Sequence, residues 1–262
     1  MDASSGDRTA VQALRLGVPP QNLMRMSLPV TLEAETLILS RPDREAAPLI
    51  VCLHPARFCE FQIAQRLRDL IHLDAHIAFP RGLYPQDVDL GGARTVGYGW
   101  YHYTGDNPAF RRSLTTAVEY VERVMDRLLQ GLPVRRDAVF IVGAEDSSLL
   151  AVTLAMRHPE LICGGAVIDG DLPAELLADL APPLRRTRFL CIRRRSRRHL
   201  EGDHEDPGVS GLRGLGYSVE LGILENHDAR WHEERDLLLS WFAAHLGLTL
   251  SDSVLARPAP PA

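Results

Sequence analysis

A short turn in the middle of the chain carries the residues with the clearest potential for chemistry. An apolar run over 138–142 leads into Gly143 and Glu145, after which a helical pattern begins at once. Turns of this design read Gly-x-Ser-x-Gly and hold a serine at the tip with its hydroxyl exposed. Here Gly143 supplies the first glycine, Glu145 occupies the serine position and Ser147 replaces the closing glycine. The sequence therefore predicts a turn built for a nucleophile that carries a carboxylate instead.

The Glu145 carboxylate has two interpretations. As a nucleophile it would form a covalent ester intermediate, but the extra methylene of glutamate relative to aspartate displaces the attacking oxygen by more than ~1 Å. As a structural acid it would act with Asp146 to stabilise the N-terminus of the following helix. Ser147 and Ser148 are alternative nucleophiles, although serines in a first helical turn are more often caps. The register set by Gly143 favours Glu145 at the tip.

The elements that must position this turn alternate between strand and helix patterns. The continuous apolar run 49–53 is typical of a parallel strand buried on both faces, and the apolar spacing over 60–72 indicates a helix. This alternation predicts an α/β fold whose mostly parallel central sheet is covered by helices on both faces. The predicted strands are 31–39, 49–53, 76–79, 139–142, 165–168, 188–192 and 217–224; the predicted helices are 60–72, 110–129, 147–157 and 233–246, with a glycine-rich loop before the second helix.

Length and composition indicate one globular domain. With 262 residues, 45% of them hydrophobic, the chain can bury a sizeable core. Its net charge of −5 gives no global attraction to nucleic acid or to an anionic membrane, and no apolar stretch approaches the ~18 residues that span a bilayer. We expect a loosely ordered arm over 1–25, the α/β domain over 26–250 and a disordered Pro/Ala-rich tail over 251–262.

The four cysteines favour a reducing compartment. Cys52, Cys163 and Cys191 lie in apolar, strand-like runs, as expected for buried thiols, and Cys59 stands apart from them. The first residues lack the apolar run of a signal peptide. We therefore expect a cytoplasmic protein. The cysteine spacing does not match a zinc site, so the cysteines predict no metal.

Five segments, in order along 48–246, resemble one protein family. They are 49–54, ending in histidine; 79–85, reading Phe-Pro-Arg-Gly-Leu-Tyr-Pro; 97–101, reading Gly-Tyr-Gly-Trp-Tyr; 154–161; and 226–227, an Asn-His pair before the last predicted helix. With these segments the chain resembles the phospholipase/carboxylesterase family of the α/β-hydrolases, which includes acyl-protein thioesterase-like enzymes. The resemblance implies the α/β-hydrolase fold and an esterase-type site. The residues that it places there are His54, Pro55 and Asp146 in the oxyanion region, Tyr98, Trp100 and Tyr101 in a substrate-side loop, and His227 as the catalytic histidine.

The departures from the family pattern fall on the catalytic groups. Glu145 replaces the nucleophile, and Pro55, which has no N–H, replaces a glycine in the turn whose backbone donors face the substrate oxygen. The family's acid is expected after 188–192, where this chain has arginines, Arg197 standing about where the aspartate belongs. Of the triad only His227 remains. We expect His227 to pair with Glu145, which would fill the former active site with an ion pair.

Two further groups of charged residues bear on function. Asp169 and Asp171 follow the predicted strand 165–168 and are alternative positions for the acid. The arginine run from Arg193 to Arg198 would capture an anion such as a phosphate or an acidic partner, or it is a solvated loop neutralised by the acidic residues that follow. In a chain whose 29 basic residues are all arginine, the second interpretation is favoured.

The combined pattern predicts an esterase-like scaffold with a degenerate site, a pseudoenzyme that binds a small molecule or a protein partner. The alternative is an active carboxylesterase or phospholipase-type hydrolase that uses the Glu145 carboxylate or a neighbouring serine. His54, Glu145 and His227 would supply nitrogen and oxygen ligands for a transition metal if they converged. No local ligand motif supports that arrangement, and we expect neither a metal nor a cofactor.

Overall fold

The part of the chain that can be described lies between residues 34 and 247. The structure, a computed structural model, describes residues 34–41, 45–90, 92–102, 108–173, 175–177, 187–194, 206–224 and 231–247. By its internal contacts the chain divides after Glu33, and every element described here belongs to the second unit, Ala34–Ala262. The predicted arm over 1–25 and the predicted tail over 251–262 lie outside the described residues, so the predicted boundaries stay predictions.

A central sheet organises the described residues. Its strands are β1 (Thr36–Leu39), β2 (Ala47–Leu53), β3 (His76–Pro80), β6 (Val134–Ala144), β7 (Ile162–Ile168), β8 (Arg188–Arg194) and β9 (Ser218–Leu224), while β4 (Tyr84–Leu90) and β5 (Ala93–Gly99) form a separate antiparallel hairpin. The seven-stranded sheet has the order β1-β3-β2-β6-β7-β8-β9. Every pairing in it is parallel except that of β1 with β3. The predicted mostly parallel sheet is therefore confirmed, with β6 at its centre.

Helices cover both faces of this sheet. They are α1 (Glu60–Arg66), α2 (Pro108–Gly131), α3 (Ser147–Arg157), α4 (Pro207–Gly214) and α5 (Trp231–Leu246). Successive side chains of a strand point to opposite faces. Accordingly Leu49, Val51 and Leu53 pack in the core formed with α2, α3 and α4, whereas Ile50 and Cys52 pack in the core formed with α1 and α5. This double burial explains why the sequence over 49–53 is apolar without alternation.

Three elements differ from the sequence-based prediction. The predicted helix 60–72 is two elements: α1 ends at Arg66, Leu67 leaves the helical conformation (φ −103°, ψ 18°), and a separate 3₁₀ helix follows over Arg68–His72. The segment predicted as a glycine-rich loop contains the β4–β5 hairpin; a Gly-Gly pair between extended stretches is a hairpin signal. α4 was not predicted, although Asp206 caps it by accepting the Val209 N–H at 3.0 Å and proline stands at its first position.

The remaining predicted elements are present with shifted ends. β6 is longer than the predicted 139–142 because its first part pairs with Ala47 at the start of β2. Of the predicted strand 31–39, the structure shows β1 over Thr36–Leu39, and 31–33 lie outside the described residues. No helix within the described ranges is long and apolar enough to cross a membrane.

Candidate functional site

The central strand β6 passes into α3 through a strained turn. Glu145 has a φ of 53°, in the left-handed region that residues with a β-carbon rarely adopt. Its N–H donates to the Ile168 carbonyl at 2.7 Å, and its own carbonyl accepts the Ser148 N–H at 3.1 Å. Its side chain is exposed. The turn therefore has the geometry of a nucleophile elbow, with the Glu145 carboxylate at its tip.

Tight packing beneath the tip explains Gly143 and the two serines. A β-carbon on Gly143 would lie 2.7 Å from the Ser147 carbonyl oxygen and 2.7 Å from Ser148 Cα, so only glycine fits. The Ser147 hydroxyl is buried, accepts the Ala144 N–H at 2.8 Å and donates to the Leu53 carbonyl at 3.0 Å. The Ser148 hydroxyl is buried and donates to the Gly143 carbonyl at 3.1 Å. Both serines therefore brace the elbow from inside.

His54 directly follows β2 and is buried. It stabilises the loop after β2, residues 54–59. The Gly82 N–H donates to its Nε2 at 2.9 Å, so the ring proton lies on Nδ1, which donates to the Pro55 carbonyl at 2.7 Å. The Trp100 indole N–H donates to the His54 carbonyl at 2.8 Å. Burial lowers the pKa of His54 to about 4, which keeps the ring neutral at physiological pH. With both ring nitrogens bonded to backbone, His54 holds the loop in place.

The first backbone donor after Pro55 is already bonded within the chain. The Ala56 N–H donates to Asp146 Oδ1 at 2.6 Å. In enzymes with this elbow, the oxyanion is held by the N–H after the nucleophile and by an N–H of a neighbouring loop. Here the residue after the tip is Asp146, and its side-chain carboxylate accepts the hydrogen bond of the loop donor, the Ala56 N–H. Burial raises the pKa of Asp146 to about 6, and the negative charge of Glu145 adds to this increase. Hydrogen bonds from the N–H groups of Ala56 and Ser147 act in the opposite direction and lower the pKa.

The segment predicted to face a substrate is bonded through its backbone to the loop after β2. Tyr98 donates its N–H to the Phe58 carbonyl at 2.8 Å and accepts the Arg57 N–H at 2.9 Å. A β-carbon on Gly97 would lie 2.0 Å from the Arg57 carbonyl oxygen, so the loop packs directly on the glycine backbone. The loop therefore lies along the β4–β5 hairpin and pairs with β5 through the antiparallel Phe58–Tyr98 bridge.

Trp100 and Tyr101 are part of the interior. Trp100 is fully buried and Tyr101 nearly so. The Tyr101 hydroxyl donates to the backbone carbonyl of Asp146, and its ring meets Phe110 edge-on at 5.6 Å. Trp100 and Tyr101 thus connect the elbow to the loop after β2, and the substrate-side role of the segment stays a prediction.

The motif over 79–85 holds the same region through an ion pair that sequence reasoning missed. Arg81 Nε donates to Glu60 Oε2 at 2.9 Å, and its guanidinium lies 4.9 Å from the centre of the Tyr98 ring. Burial raises the pKa of Glu60, but the bonds and charge of Arg81 together with the Glu60 backbone N–H and the His54 ring lower it overall. The Tyr120 hydroxyl donates to the Arg81 carbonyl at 2.9 Å. The arginine of the motif is therefore structural.

The alternative acid Asp169 is neutralised by an arginine. Asp169 directly follows β7, as Glu145 directly follows β6. It has a φ of 50°, and its N–H donates to the Ile192 carbonyl at 2.9 Å. Its carboxylate accepts the Arg194 N–H at 2.7 Å and pairs with the Arg194 guanidinium. Asp171 lies two residues further on and is exposed.

The first two arginines of the predicted anion site are bonded to the chain's own carboxylates. Arg193 binds Asp206 with two hydrogen bonds, 2.8 and 3.2 Å long. Burial raises the pKa of Asp206, but the bonds and charge of Arg193 together with the N–H groups of Val209 and Gly208 lower it overall. Arg194 also donates to Glu234 Oε2 at 2.7 Å. The rest of the run, through Arg198, lies outside the described residues, so anion capture there stays a prediction.

His227 lies outside the described residues, and its predicted ion pair with Glu145 stays a prediction. α5 begins four residues later, and its first turn carries the buried Glu234, which accepts from Arg66 at 3.0 and 2.8 Å as well as from Arg194. Within the described ranges, no group of histidine, cysteine, aspartate or glutamate side chains is placed to hold a metal. A groove of about 530 Å³ between β1 and α1 includes none of the elbow residues.

Comparison with known proteins supports the fold. No family model and no curated protein sequence matches the chain. Among solved structures, esterase PE8 is 17% identical with a TM-score of 0.61, covering 83% of this chain and 100% of that one. Acyl-protein thioesterase 2 of Zea mays is 16% identical with a TM-score of 0.60, covering 82% and 100%. A carboxylesterase from Mesorhizobium loti is 18% identical with a TM-score of 0.59, covering 80% and 94%. The chain therefore has the α/β-hydrolase fold of carboxylesterases and acyl-protein thioesterases, as the motifs predicted.

Proposed function

We propose that this chain is a non-catalytic pseudo-hydrolase, which keeps an esterase scaffold and binds a small molecule or a protein partner at the former active site. The observation that carries the proposal is Glu145, exposed at the tip of a strained elbow where an esterase needs a hydroxyl. A carboxylate is a poor substitute in acyl transfer. When a carboxylate adds to an ester carbonyl, the adduct can expel either the carboxylate or the alkoxide of the ester. The carboxylate is the weaker base of the two, so it leaves and the starting ester is formed again.

Two other arrangements support the proposal. The loop donor at Ala56 is bonded to the Asp146 carboxylate, so it does not point a free N–H at an incoming carbonyl oxygen. The Asp169 carboxylate, an alternative acid for a catalytic histidine, is bonded to Arg194. A working esterase needs a nucleophile, an oxyanion hole and an oriented base acting together; here the nucleophile position carries a carboxylate and the loop donor is bonded to Asp146.

Ester hydrolysis by the purified protein is the direct test. We expect the full chain to hydrolyse p-nitrophenyl butyrate with kcat below roughly 1 s⁻¹, the low end of ordinary enzymes. Glu145→Ala should show the same rate, because the carboxylate contributes nothing to acyl transfer. A rate above this value would overturn the proposal, and its loss in Glu145→Ala would assign the activity to the carboxylate.

A second candidate function is hydrolysis through a glutamyl ester, and the exposed carboxylate at the nucleophile position favours it. A Glu145 oxygen would attack a saturated carbon, the bond to the leaving group would break, and a glutamyl alkyl ester would form. Water would then attack the carbonyl carbon of that ester and release the alcohol, leaving one water oxygen in the Glu145 carboxylate. Ser147 and Ser148 are less suited, because both hydroxyls are buried and bonded to backbone carbonyls.

Isotope labelling separates these two functions. The protein is incubated in H₂¹⁸O with a panel of haloalkanes and epoxides, and the peptide containing Glu145 is weighed by mass spectrometry. For a pseudo-hydrolase we expect no ¹⁸O in that peptide beyond the level in Glu145→Gln. Incorporation of one ¹⁸O that depends on substrate and is lost in Glu145→Gln would establish the carboxylate as a nucleophile.

A further inference from the structure

Asp146 joins the elbow to two other parts of the site. Its Oδ1 accepts the Ala56 N–H at 2.6 Å across 90 residues of sequence, and its backbone carbonyl accepts the Tyr101 hydroxyl. It also stands at the N-cap of α3, but its side chain is turned to the Ala56 loop rather than serving as a cap. Because Pro55 has no N–H, Ala56 carries the first donor that the loop can offer after His54.

We propose that the Asp146 carboxylate is an internal plug of the former oxyanion site: while ionised it holds the Ala56 N–H and keeps an anionic ligand group from that donor, and protonation loosens it. The inference rests on the proposed function, because it describes the regulation of the same ligand site. Hydrogen bonds to a charged acceptor are roughly twice as strong as those to a neutral one. Neutralising the carboxyl therefore weakens the contact with the Ala56 N–H.

The groups around the Asp146 carboxyl determine the pH at which it becomes protonated. Among the described residues, the charged neighbour that acts on it is Glu145, on the same turn. The loop after β2 presents the Ala56 N–H, α3 presents the Ser147 N–H, and the segment after β5 presents the Tyr101 hydroxyl to the Asp146 carbonyl. Burial raises the pKa of Asp146 to about 6. The plug is thus closed above pH about 6 and loosened below it, within the range that a cell can vary.

Nuclear magnetic resonance of the ¹⁵N-labelled full chain tests the contact itself. We expect the Ala56 amide proton to shift between pH 4.5 and 8 with a midpoint near 6. Asp146→Asn, which keeps an acceptor oxygen without a charge, should abolish this titration. Glu145→Gln should keep it and lower its midpoint, because it removes the neighbouring negative charge. An Ala56 amide that does not titrate, or that titrates equally in Asp146→Asn, would overturn the plug.

Binding of butyrate tests the consequence for a ligand. At pH 7.5 we expect Asp146→Ala to bind butyrate about tenfold more tightly than the unchanged protein, with the Ala56 amide among those that shift, since one freed donor is worth about a hydrogen bond. Glu145→Ala is the matched control, because it also removes one negative charge but leaves the plug. If both variants gained the same affinity for butyrate, the gain would come from removing a repelling negative charge. That result would overturn the inference.

These outcomes are separable from those of the proposed function. If the protein proves to be an active hydrolase while the Ala56 amide titrates through Asp146, the pseudo-hydrolase proposal fails and the plug stands. If hydrolysis is absent while the amide does not titrate and butyrate gains nothing in Asp146→Ala, the plug fails and the pseudo-hydrolase proposal stands. The spectrum of each variant reports directly whether it has folded.

Discussion

Replacing Glu234 by glutamine is expected to lower the free energy of unfolding by about 3–5 kcal/mol, the usual result of breaking a buried ion pair from one side. Glu234 is 1% exposed and Arg66 is 4% exposed. The carboxylate accepts from Arg66 twice and from Arg194 once, and Arg194 continues to Asp169. A glutamine amide would remove the negative charge and turn an N–H toward guanidinium donors. Urea unfolding at fixed ionic strength measures the loss.

The matched control for Glu234→Gln is a surface pair. Asp87 pairs with Arg94 at 3.3 Å, but the two side chains are 68% and 81% exposed. Asp87→Asn should therefore change the free energy of unfolding by less than about 1 kcal/mol. If the two variants lost equal stability, the network around Glu234 would not be what attaches the first turn of α5 to α1 and β8. A large difference would assign it that role.

Restoring esterase activity is expected to need several changes at once. Glu145→Ser alone should stay near background, because Pro55 and the bonded Ala56 N–H leave the oxyanion hole incomplete and Arg197 stands where the resemblance places the acid. Combining Glu145→Ser with Pro55→Gly and Arg197→Asp, and with Asp146→Ala to free the Ala56 donor, should raise kcat/KM for p-nitrophenyl butyrate by about 10²-fold or more. One oxyanion donor is worth about 10²–10³ in rate, and catalytic groups that act as a unit are not additive.

The control for this combination carries the same changes with Glu145→Ala in place of Glu145→Ser. It lacks a nucleophile and should remain at background. A brisk esterase from Glu145→Ser alone, with kcat above roughly 1 s⁻¹, would contradict the degenerate-site proposal. The acid would then be Asp169 or Asp171, and an oxyanion hole would have to form without the Ala56 donor.

The fold was largely predictable because its signals are local. The run over 49–53 is apolar because both faces of β2 are covered, and the elbow follows from an apolar strand, a glycine and an immediate helix. Gly143 is required by backbone contacts with residues four and five positions further on, which a short motif can encode. The β4–β5 hairpin and α4 carried local signals as well, a Gly-Gly pair and a capped proline start, and these were missed in favour of a loop.

The role of the aromatic motif over 97–101 was not predictable in the same way. Its sequence is that of a substrate-side segment in the family that it resembles, and nothing local distinguishes an exposed tyrosine from a buried one. Burial of Trp100 and Tyr101 depends on how α2, which follows them, and the loop after β2, 46 residues before Trp100, pack against them. The structure shows that Trp100 and Tyr101 pack in the interior and contact the elbow and the loop after β2.

What the sequence alone determined about this protein are the properties of single residue types. Glutamate at position 145 has no hydroxyl and proline at position 55 has no N–H, whatever their surroundings. Only the tertiary structure decided which polar groups meet. It placed the Asp146 carboxylate on the Ala56 N–H, 90 residues away, and the Arg194 guanidinium on Asp169, 25 residues away. Such pairs depend on how strand ends converge at one edge of the sheet, and no local period or spacing encodes that geometry.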